Sequence, residues 1–193
     1  RVCLASEGKV TLLDHSEASL TGDDLIIASA SDHTPLCVAG VMGALNSGTT
    51  EATTDIFLES ANFNASSVRK TARRLGVSSD SSFRFERGLD PNNTEWALLR
   101  ASKLILDLCP GSYVDGGVFD HYPAVAKPYE VELSLERMTR LLGLAIPVED
   151  VKRILTQLEI EIVKQEGDLW QLRVPRYRID VTREVDGIED ILR

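Results

Sequence analysis

The run DIFLESANFNASSVRKTARRLGV, residues 55–77, contains the feature that decides how this chain is interpreted. Residues 55–61 have the composition of a strand, whose side chains alternate between two faces, and Glu59 then shares a face with Phe57 and Ala61. An ionised carboxylate without partners is costly to bury. Glu59 therefore marks either a strand end that faces solvent or a polar position in an apolar surface, and the residues alone leave both interpretations open.

A helix is predicted directly after this strand, over residues 65–75. Asn64 is a suitable N-cap, and Gly76 is placed to end the helix in the left-handed conformation. The apolar stripe of the helix consists of Val68, Ala72 and Leu75. Four basic residues lie mostly outside that stripe, namely Arg69, Lys70, Arg73 and Arg74. They form either a solvated helix face, which is the more usual case, or a contact for RNA phosphates.

Short strands precede this helix and a longer helix follows it. Strands are predicted at residues 9–14, 24–30, 35–43 and 55–61, with turn residues between them. The following helix is predicted to have Asp90 as N-cap and Pro91 in its first helical position. Its predicted buried face consists of Leu98, Ala101, Ile105 and Leu108.

Composition excludes several classes of protein. The chain has 193 residues, a net charge of −9 and three cysteines. No run is long and apolar enough to span a bilayer, and the acidic balance argues against nucleic-acid binding through bulk charge. The spacing of the cysteines does not suggest a disulfide framework or a zinc site, so the expected location is the cytoplasm. The chain begins in strand-like alternation without a methionine, which suggests an excised piece.

Two glycine- and serine-rich segments are candidates for a site. In GVSSDSSFRFERGLDP, residues 76–91, four serines surround Asp80, and alternation then places Phe83 and Phe85 on one face. The hydroxyl groups could line a polar pocket, or the segment is an ordinary polar loop; no histidine is near in sequence to act as the base of a serine nucleophile. In AGVMGALNSG, residues 39–48, the glycines lack the pattern of a phosphate-binding loop and favour a tight turn.

The character of the sequence changes near residue 125, where a domain boundary is predicted. Two amphipathic helices are predicted at residues 134–143 and 147–159, a hairpin at 160–174 and a last helix at 181–193. This order resembles a winged-helix arrangement. In the last helix Asp186, Glu189 and Asp190 share one face, and Asp180 can join them from the preceding turn. These carboxylates are either Mg²⁺ ligands or a solvated face neutralised by arginine.

The opening run, continued to residue 91, closely resembles the bacterial phenylalanyl-tRNA synthetase beta subunit family. DIFLESANFNASSVRKTARRLGVSSDSSFRFERGLDP is similar to the family's segment with TARR and RFERG motifs, and AGVMGALNSG is similar to its glycine-rich strand. The resemblance implies an α+β fold. Residues 1–118 would be the C-terminal part of a tRNA-editing domain with a mixed or antiparallel sheet, residues 119–127 a linker, and residues 128–193 a winged-helix-like domain.

The same resemblance implies a pocket that hydrolyses tyrosine mischarged onto phenylalanine tRNA. Glu59 matches the family's pocket glutamate, which would accept a hydrogen bond from the tyrosine hydroxyl and so act as a second sieve. Further positions of the pocket are matched by Gly40, Gly43, Ser79 and Ser81. The family's pocket histidine lies in a segment upstream of Arg1. We therefore assign no catalytic residue within the chain and expect little or no hydrolysis by it alone.

Cofactors and partners also follow from the resemblance. Four carboxylates match a Mg²⁺ site that the family shares with its alpha subunit, namely Asp180, Asp186, Glu189 and Asp190. The parent enzyme would be an alpha2-beta2 heterotetramer that binds tRNA(Phe), with ATP bound on the alpha subunit and no ligase activity in this chain by itself. No membrane association and no independent DNA binding are expected. Competing hypotheses are a non-catalytic nucleic-acid-binding or scaffolding module and a free-standing esterase.

Overall fold

The computed structural model describes residues 1–193 and divides them into two compact units, residues 1–116 and 117–193. Helices and antiparallel sheets occur in both units, which confirms the predicted α+β class. The division at residues 116 and 117 lies shortly before the predicted linker at residues 119–127. None of the helices is long and apolar enough to cross a membrane.

The first unit is built on short antiparallel strands. Their bounds are β1 Val2–Leu4, β2 Gly8–Thr11, β3 Glu17–Leu20, β4 Leu25–Ala28, β5 Pro35–Val38 and β6 Met42–Gly43. Four of them form a sheet in the order β1-β4-β5-β6, and β2 pairs with β3 in a separate hairpin. Strands predicted at 9–14, 24–30 and 35–43 are therefore present in shortened form. The last of them is two strands, β5 and β6, joined by a turn.

The predicted strand at residues 55–61 does not form. These residues are irregular and pair with no other strand. The side chain of Phe57 is 94% exposed. Two side-chain hydrogen bonds hold the segment in place of a strand ladder. Ser60 Oγ donates to the carbonyl of Thr94, where the next long helix begins, at 2.8 Å. Asn62 Nδ2 donates to the carbonyl of Leu89, which precedes that helix, at 3.2 Å. Alternation in sequence was not enough, because a strand also needs a hydrogen-bonding partner.

The first helix, α1 Ala65–Leu75, confirms the predicted bounds and both predicted caps. The side chain of Asn64 accepts a hydrogen bond from the backbone N–H of Ser67, and Gly76 adopts a φ of +67°. Val68 and Ala72 join the apolar core of the unit, where Phe63 and Phe85 meet edge to face at 5.1 Å between ring centroids.

The second helix, α2 Asp80–Phe85, replaces the predicted alternation of Phe83 and Phe85. Ser79 and Ser82 form a capping box, in which each side chain bonds the backbone of the other. This satisfies two of the free N–H groups at a helix start, so the turn chemistry overrides the period-two pattern. Phe85 packs on the core, whereas Phe83 is 56% exposed.

The third helix, α3 Thr94–Leu108, follows a 3-10 turn at Pro91–Asn93. Asp90 accepts a hydrogen bond from the N–H of Asn92 at 2.9 Å and is therefore an N-cap, as predicted, but it caps the 3-10 turn rather than α3 itself. The predicted buried face is only partly covered: Leu98, Ala101 and Ile105 are half-buried, Leu108 is 76% exposed, and no residue of α3 is fully buried.

The second unit contains three strands and three helices. Their bounds are β7 Tyr129–Ser134, α4 Leu135–Leu142, α5 Val148–Gln157, β8 Glu161–Glu166, β9 Leu169–Val174 and α6 Glu184–Leu192. The strands form an antiparallel sheet in the order β7-β9-β8. The two predicted helices and the hairpin are confirmed. Strand β7 was missed, although the alternation of buried Val131 and Leu133 with exposed glutamates would have shown it.

The last helix begins at Glu184 rather than Val181. The carboxylate of Asp186 accepts hydrogen bonds from the backbone N–H groups of Thr182 and Arg183, at 3.1 and 2.9 Å. Because these N–H groups are bonded to a side chain, the segment before Glu184 stays extended. Ile188 and Ile191 then bury against Trp170 and the other apolar residues of the unit.

Candidate functional site

The glycine-rich segment forms a buried turn between β5 and β6. Gly40 has a φ of +70°, and the flanking Ala39 and Val41 are buried. A Cβ atom at Gly40 would lie 2.9 Å from Cγ2 of Val68 and 3.0 Å from Cδ2 of Phe63. Only glycine fits both this backbone conformation and this space. The turn therefore packs directly against Val68 of α1.

Two of the predicted serines hold the start of α2 on this turn. Ser79 Oγ donates to the carbonyl of Val41, and Ser81 Oγ donates to the carbonyl of Gly40 at 3.0 Å. Ser79 Oγ also accepts from the N–H of Ser82 at 3.0 Å. The structure thus brings Gly40, Ser79 and Ser81 together through hydrogen bonds. Both hydroxyl protons are directed at backbone carbonyls, so neither serine is arranged as a nucleophile.

Gly43 lies in β6, at the other end of the same hairpin. Its Cα is paired with Cys37 of β5, and its carbonyl accepts from the N–H of Leu13 at 3.0 Å. A Cβ atom at Gly43 would lie 2.9 Å from Cδ1 of Leu13. The absence of a side chain at this position therefore lets the Leu13 side chain lie across the strand.

Glu59 lies in the irregular segment and acts electrostatically on β5. Its carboxylate makes no hydrogen bond or ion pair with any described residue. The Glu59 side chain is exposed to solvent, and crowding by neighbouring atoms, which removes part of its hydration, raises the pKa of its carboxyl group. Burial, together with the negative charge of Glu59, raises the pKa of the Cys37 thiol to about 11. Glu59 is therefore within electrostatic range of Cys37 in β5.

The predicted pocket residues therefore fall into two groups around the β5–β6 hairpin. Gly40, Ser79 and Ser81 are joined by hydrogen bonds at its turn. Gly43 pairs with Cys37, and the charge of Glu59 acts on the thiol of Cys37. No hydrogen bond joins Glu59 to either serine. Sequence reasoning missed the part played by the main-chain carbonyls of the turn, and it missed Cys37. The spacing of Ser79 and Ser82 is that of a capping box and could have indicated the start of α2, but no local signal indicated the contacts with the carbonyls.

The four carboxylates predicted as Mg²⁺ ligands are paired with arginines. Arg178 bonds Asp180 and also Asp190, at 2.8 and 2.5 Å. The other two pairs are Arg183 with Asp186 at 2.9 Å and Arg193 with Glu189 at 2.8 Å.

These arginines change the electrostatics of the cluster. A hydrogen bond from Arg178 lowers the pKa of Asp180, and one from Arg183 lowers the pKa of Asp186. No group of three or more metal-ligating side chains comes together in the structure. As arranged here the donor set does not fit Mg²⁺, since a guanidinium group already bridges Asp180 and Asp190. The magnesium site stays a prediction.

Both units match families of known domains. The sequence model of the B3/4 domain matches residues 1–110, and that of the tRNA synthetase B5 domain matches residues 131–193. A solved N-terminal fragment of the phenylalanyl-tRNA synthetase beta subunit from Pyrococcus horikoshii is 15% identical, with a TM-score of 0.48 over 100% of this chain and 55% of that one. That likeness is too weak to add to the description of the fold.

Curated relatives match nearly the whole chain. The phenylalanine–tRNA ligase beta subunit of Porphyromonas gingivalis is 55% identical over 94% of this chain. The beta subunits of Bacteroides thetaiotaomicron and Thermotoga maritima are 47% and 41% identical over 94% and 96% of it. The chain spans only 22–23% of the length of these relatives. The chain therefore belongs to the B3/4 domain family, carries a tRNA synthetase B5 domain, and corresponds to one segment of the phenylalanine–tRNA ligase beta subunit.

Proposed function

We propose that residues 1–110 contribute to a hydrolytic site that removes tyrosine from mischarged tRNA(Phe), and that Glu59 recognises the tyrosine hydroxyl. The reaction adds water across the ester bond between the tyrosine carboxyl group and the terminal ribose, which releases tyrosine and uncharged tRNA. No residue of this chain is assigned as the group that activates the water.

The unpaired state of Glu59 is the observation that carries the proposal. The α6 carboxylates have arginine partners, whereas Glu59 is exposed to solvent, has no partner within the chain, and has a raised pKa because nearby atoms crowd its carboxylate. A tyrosine hydroxyl would supply the missing donor, and phenylalanine would not. The bound ester is proposed to displace water from Glu59, and a carboxylate left without a partner in that complex would cost about 1–3 kcal/mol, which corresponds to discrimination of roughly 5- to 150-fold between the two esters.

The structural part of the pocket is proposed to be the turn and α2. Gly40 lets the turn approach α1 closely, and the hydroxyl groups of Ser79 and Ser81 fix α2 on its carbonyls. We expect this arrangement to be rigid, because the serine side chains at the start of α2 are bonded to the backbone carbonyls of the turn. We expect it to position the ligand, with the serines acting as supports of the pocket wall.

For the whole enzyme, we propose that this segment belongs to an alpha2-beta2 ligase that joins phenylalanine to tRNA(Phe) with ATP, the ATP site lying on the alpha subunit. The relatives are named beta subunits, which supports a second kind of subunit as partner. No step is proposed through Mg²⁺ at the α6 carboxylates, because arginines already occupy them. We infer a cytoplasmic location from the same relationship.

The test is deacylation of tyrosyl-tRNA(Phe) and phenylalanyl-tRNA(Phe) by the full-length beta subunit assembled with its partner. We expect Glu59→Ala to lower kcat/KM for the tyrosyl ester by about 10- to 100-fold, with little change for the phenylalanyl ester. Glu51→Ala removes an exposed carboxylate from the preceding loop and is the matched control. An unchanged ratio of the two rates in Glu59→Ala would show that the glutamate does not read the hydroxyl.

A second prediction concerns stability and pH. Crowding by neighbouring atoms raises the pKa of Glu59 in the folded chain, so the ionised form is disfavoured by folding, and the residue costs stability at pH above its folded pKa. We expect Glu59→Gln to melt at the same or a higher temperature than the natural protein at pH 7. The difference should vanish below the unfolded pKa of about 4.3. A lower melting temperature for Glu59→Gln at pH 7 would indicate a structural role instead.

A further inference from the structure

Helix α1 has a basic face that the fold does not use. Its sequence contains four basic residues and no acidic residue, in a chain whose net charge is −9. Arg74 is bonded to buried Asp24 and to the carbonyl of Ser19. The other three are exposed and form no ion pair with any described residue; they are Arg69, Lys70 and Arg73.

These three residues, called the basic face below, point away from the core. An α-helix turns by about 100° per residue, which places them opposite the buried side formed by Val68, Thr71 and Ala72. Removing their charges would expose no buried group. Packing therefore gives no reason for them.

The basic face is also unfavourable by itself. Arg69 and Arg73 are four residues apart, and Lys70 and Arg73 three apart, so like charges are neighbours on the helix surface and repel. The helix dipole favours cations only in the last turn, which accounts for Arg73 but not for Arg69 and Lys70. The repulsion would be relieved by an anionic partner.

We propose that the basic face binds phosphate groups of the tRNA whose aminoacyl end enters the candidate pocket; this rests on the proposed function. The position of α1 supports RNA over other anions. Its start, capped by Asn64, follows the segment of Glu59, and its end leads through Gly76 to Ser79. Val68 on its inner side contacts the position of Gly40. An RNA strand on the outer side is thus about one helix diameter, roughly 10 Å, from the pocket turn.

The experiment measures binding of unacylated tRNA(Phe) to the full-length beta subunit assembled with its partner, over a series of salt concentrations. The variant is Arg69→Gln, Lys70→Gln and Arg73→Gln combined. The matched control, with the same change of charge, combines Arg100→Gln, Lys127→Gln and Arg140→Gln, which replaces exposed basic residues without ion pairs elsewhere.

We expect the basic-face variant to bind at least about tenfold more weakly at low salt, with a slope of log affinity against log salt that is smaller by roughly 2–3, since each phosphate contact contributes about 0.7–0.9. Its melting temperature should equal or exceed that of the natural protein, because repulsion is removed. The control should keep the natural slope. In deacylation, the variant should raise KM for tyrosyl-tRNA(Phe) and leave kcat unchanged.

An unchanged salt slope in the basic-face variant would overturn the proposal. So would weaker association of the variant with its partner subunit at an unchanged tRNA slope, which would make the face a protein contact. The result for the basic face can be distinguished from the result for Glu59 in the proposed pocket. If the variant loses tRNA while Glu59→Ala leaves the ratio of ester rates unchanged, the basic face stands and the assignment of Glu59 falls.

Discussion

Replacing Asp24 with alanine is expected to destabilise the first unit by about 3 kcal/mol, because it leaves the hydrogen-bond donors around this buried carboxylate unsatisfied and removes its ion pair with Arg74. Asp24 is 1% exposed. Its carboxylate accepts from the N–H of Thr21 at 2.7 Å and from the hydroxyl of Thr71 at 2.9 Å, and it pairs with Arg74. These contacts join the turn before β4 to α1.

Removal of the Asp24 side chain affects both ends of this link. Thr71 Oγ1 is buried on the inner side of α1 and would lose its acceptor. The N–H of Thr21 would lose its acceptor as well. Arg74, which is partly exposed, can turn to water and should cost less. The expected loss is therefore dominated by the uncharged donors.

The measurement is the free energy of unfolding from denaturant titration. Asp23→Ala is the matched control, since Asp23 is the exposed neighbour in the same turn, and it should change the free energy of unfolding by less than about 0.5 kcal/mol. A loss for Asp24→Ala no larger than that of the control would show that the network does not hold α1 in place.

Acid should weaken the same network. Burial alone would raise the pKa of Asp24, but the hydrogen bonds from Arg74, Thr21 and Thr71 together outweigh it and lower the pKa. The carboxylate therefore contributes stability that is complete above its unfolded pKa of about 3.9 and is lost as pH falls through the lower folded pKa. Asp24→Asn should remove that part of the acid dependence.

Replacing Gly40 with alanine is expected to cost about 2–4 kcal/mol of stability. Part of the cost is the backbone, because φ at Gly40 is +70°. The rest is space, because the new Cβ would lie 2.9 Å from Val68 and 3.0 Å from Phe63. The turn would have to move away from α1, and with it the carbonyls that hold Ser79 and Ser81.

Gly76→Ala separates the two contributions. Gly76 has a φ of +67°, nearly that of Gly40, but nothing lies within 4 Å of its added Cβ. It should lose only the backbone part, about 1 kcal/mol. Adding Val68→Ala to Gly40→Ala should recover some of the packing part relative to the sum of the single changes. Equal losses for Gly40→Ala and Gly76→Ala would mean that the turn can move away from α1 at little cost.

The sequence by itself determined the features that depend on a few neighbouring residues. The bounds of α1 followed from Asn64 and Gly76, because each cap is made within a single turn of chain. The hairpin of β8 and β9 followed from alternation across Gly167, which has a φ of +59°. The family also followed from local motifs, since these are contiguous in sequence.

Tertiary structure alone decided the features that need distant partners. The segment of Glu59 is irregular because no strand pairs with it, and no residue of α3 is fully buried because its apolar side is only partly covered. Arg178 lies between Asp180 and Asp190, a pairing that no helical spacing predicts. In each case the local pattern was compatible with more than one outcome. The choice depended on hydrogen bonds, packing and charge that the local period does not specify, whether the partner is close in sequence, as Asp180 is to Arg178, or distant, as Thr94 is from Ser60.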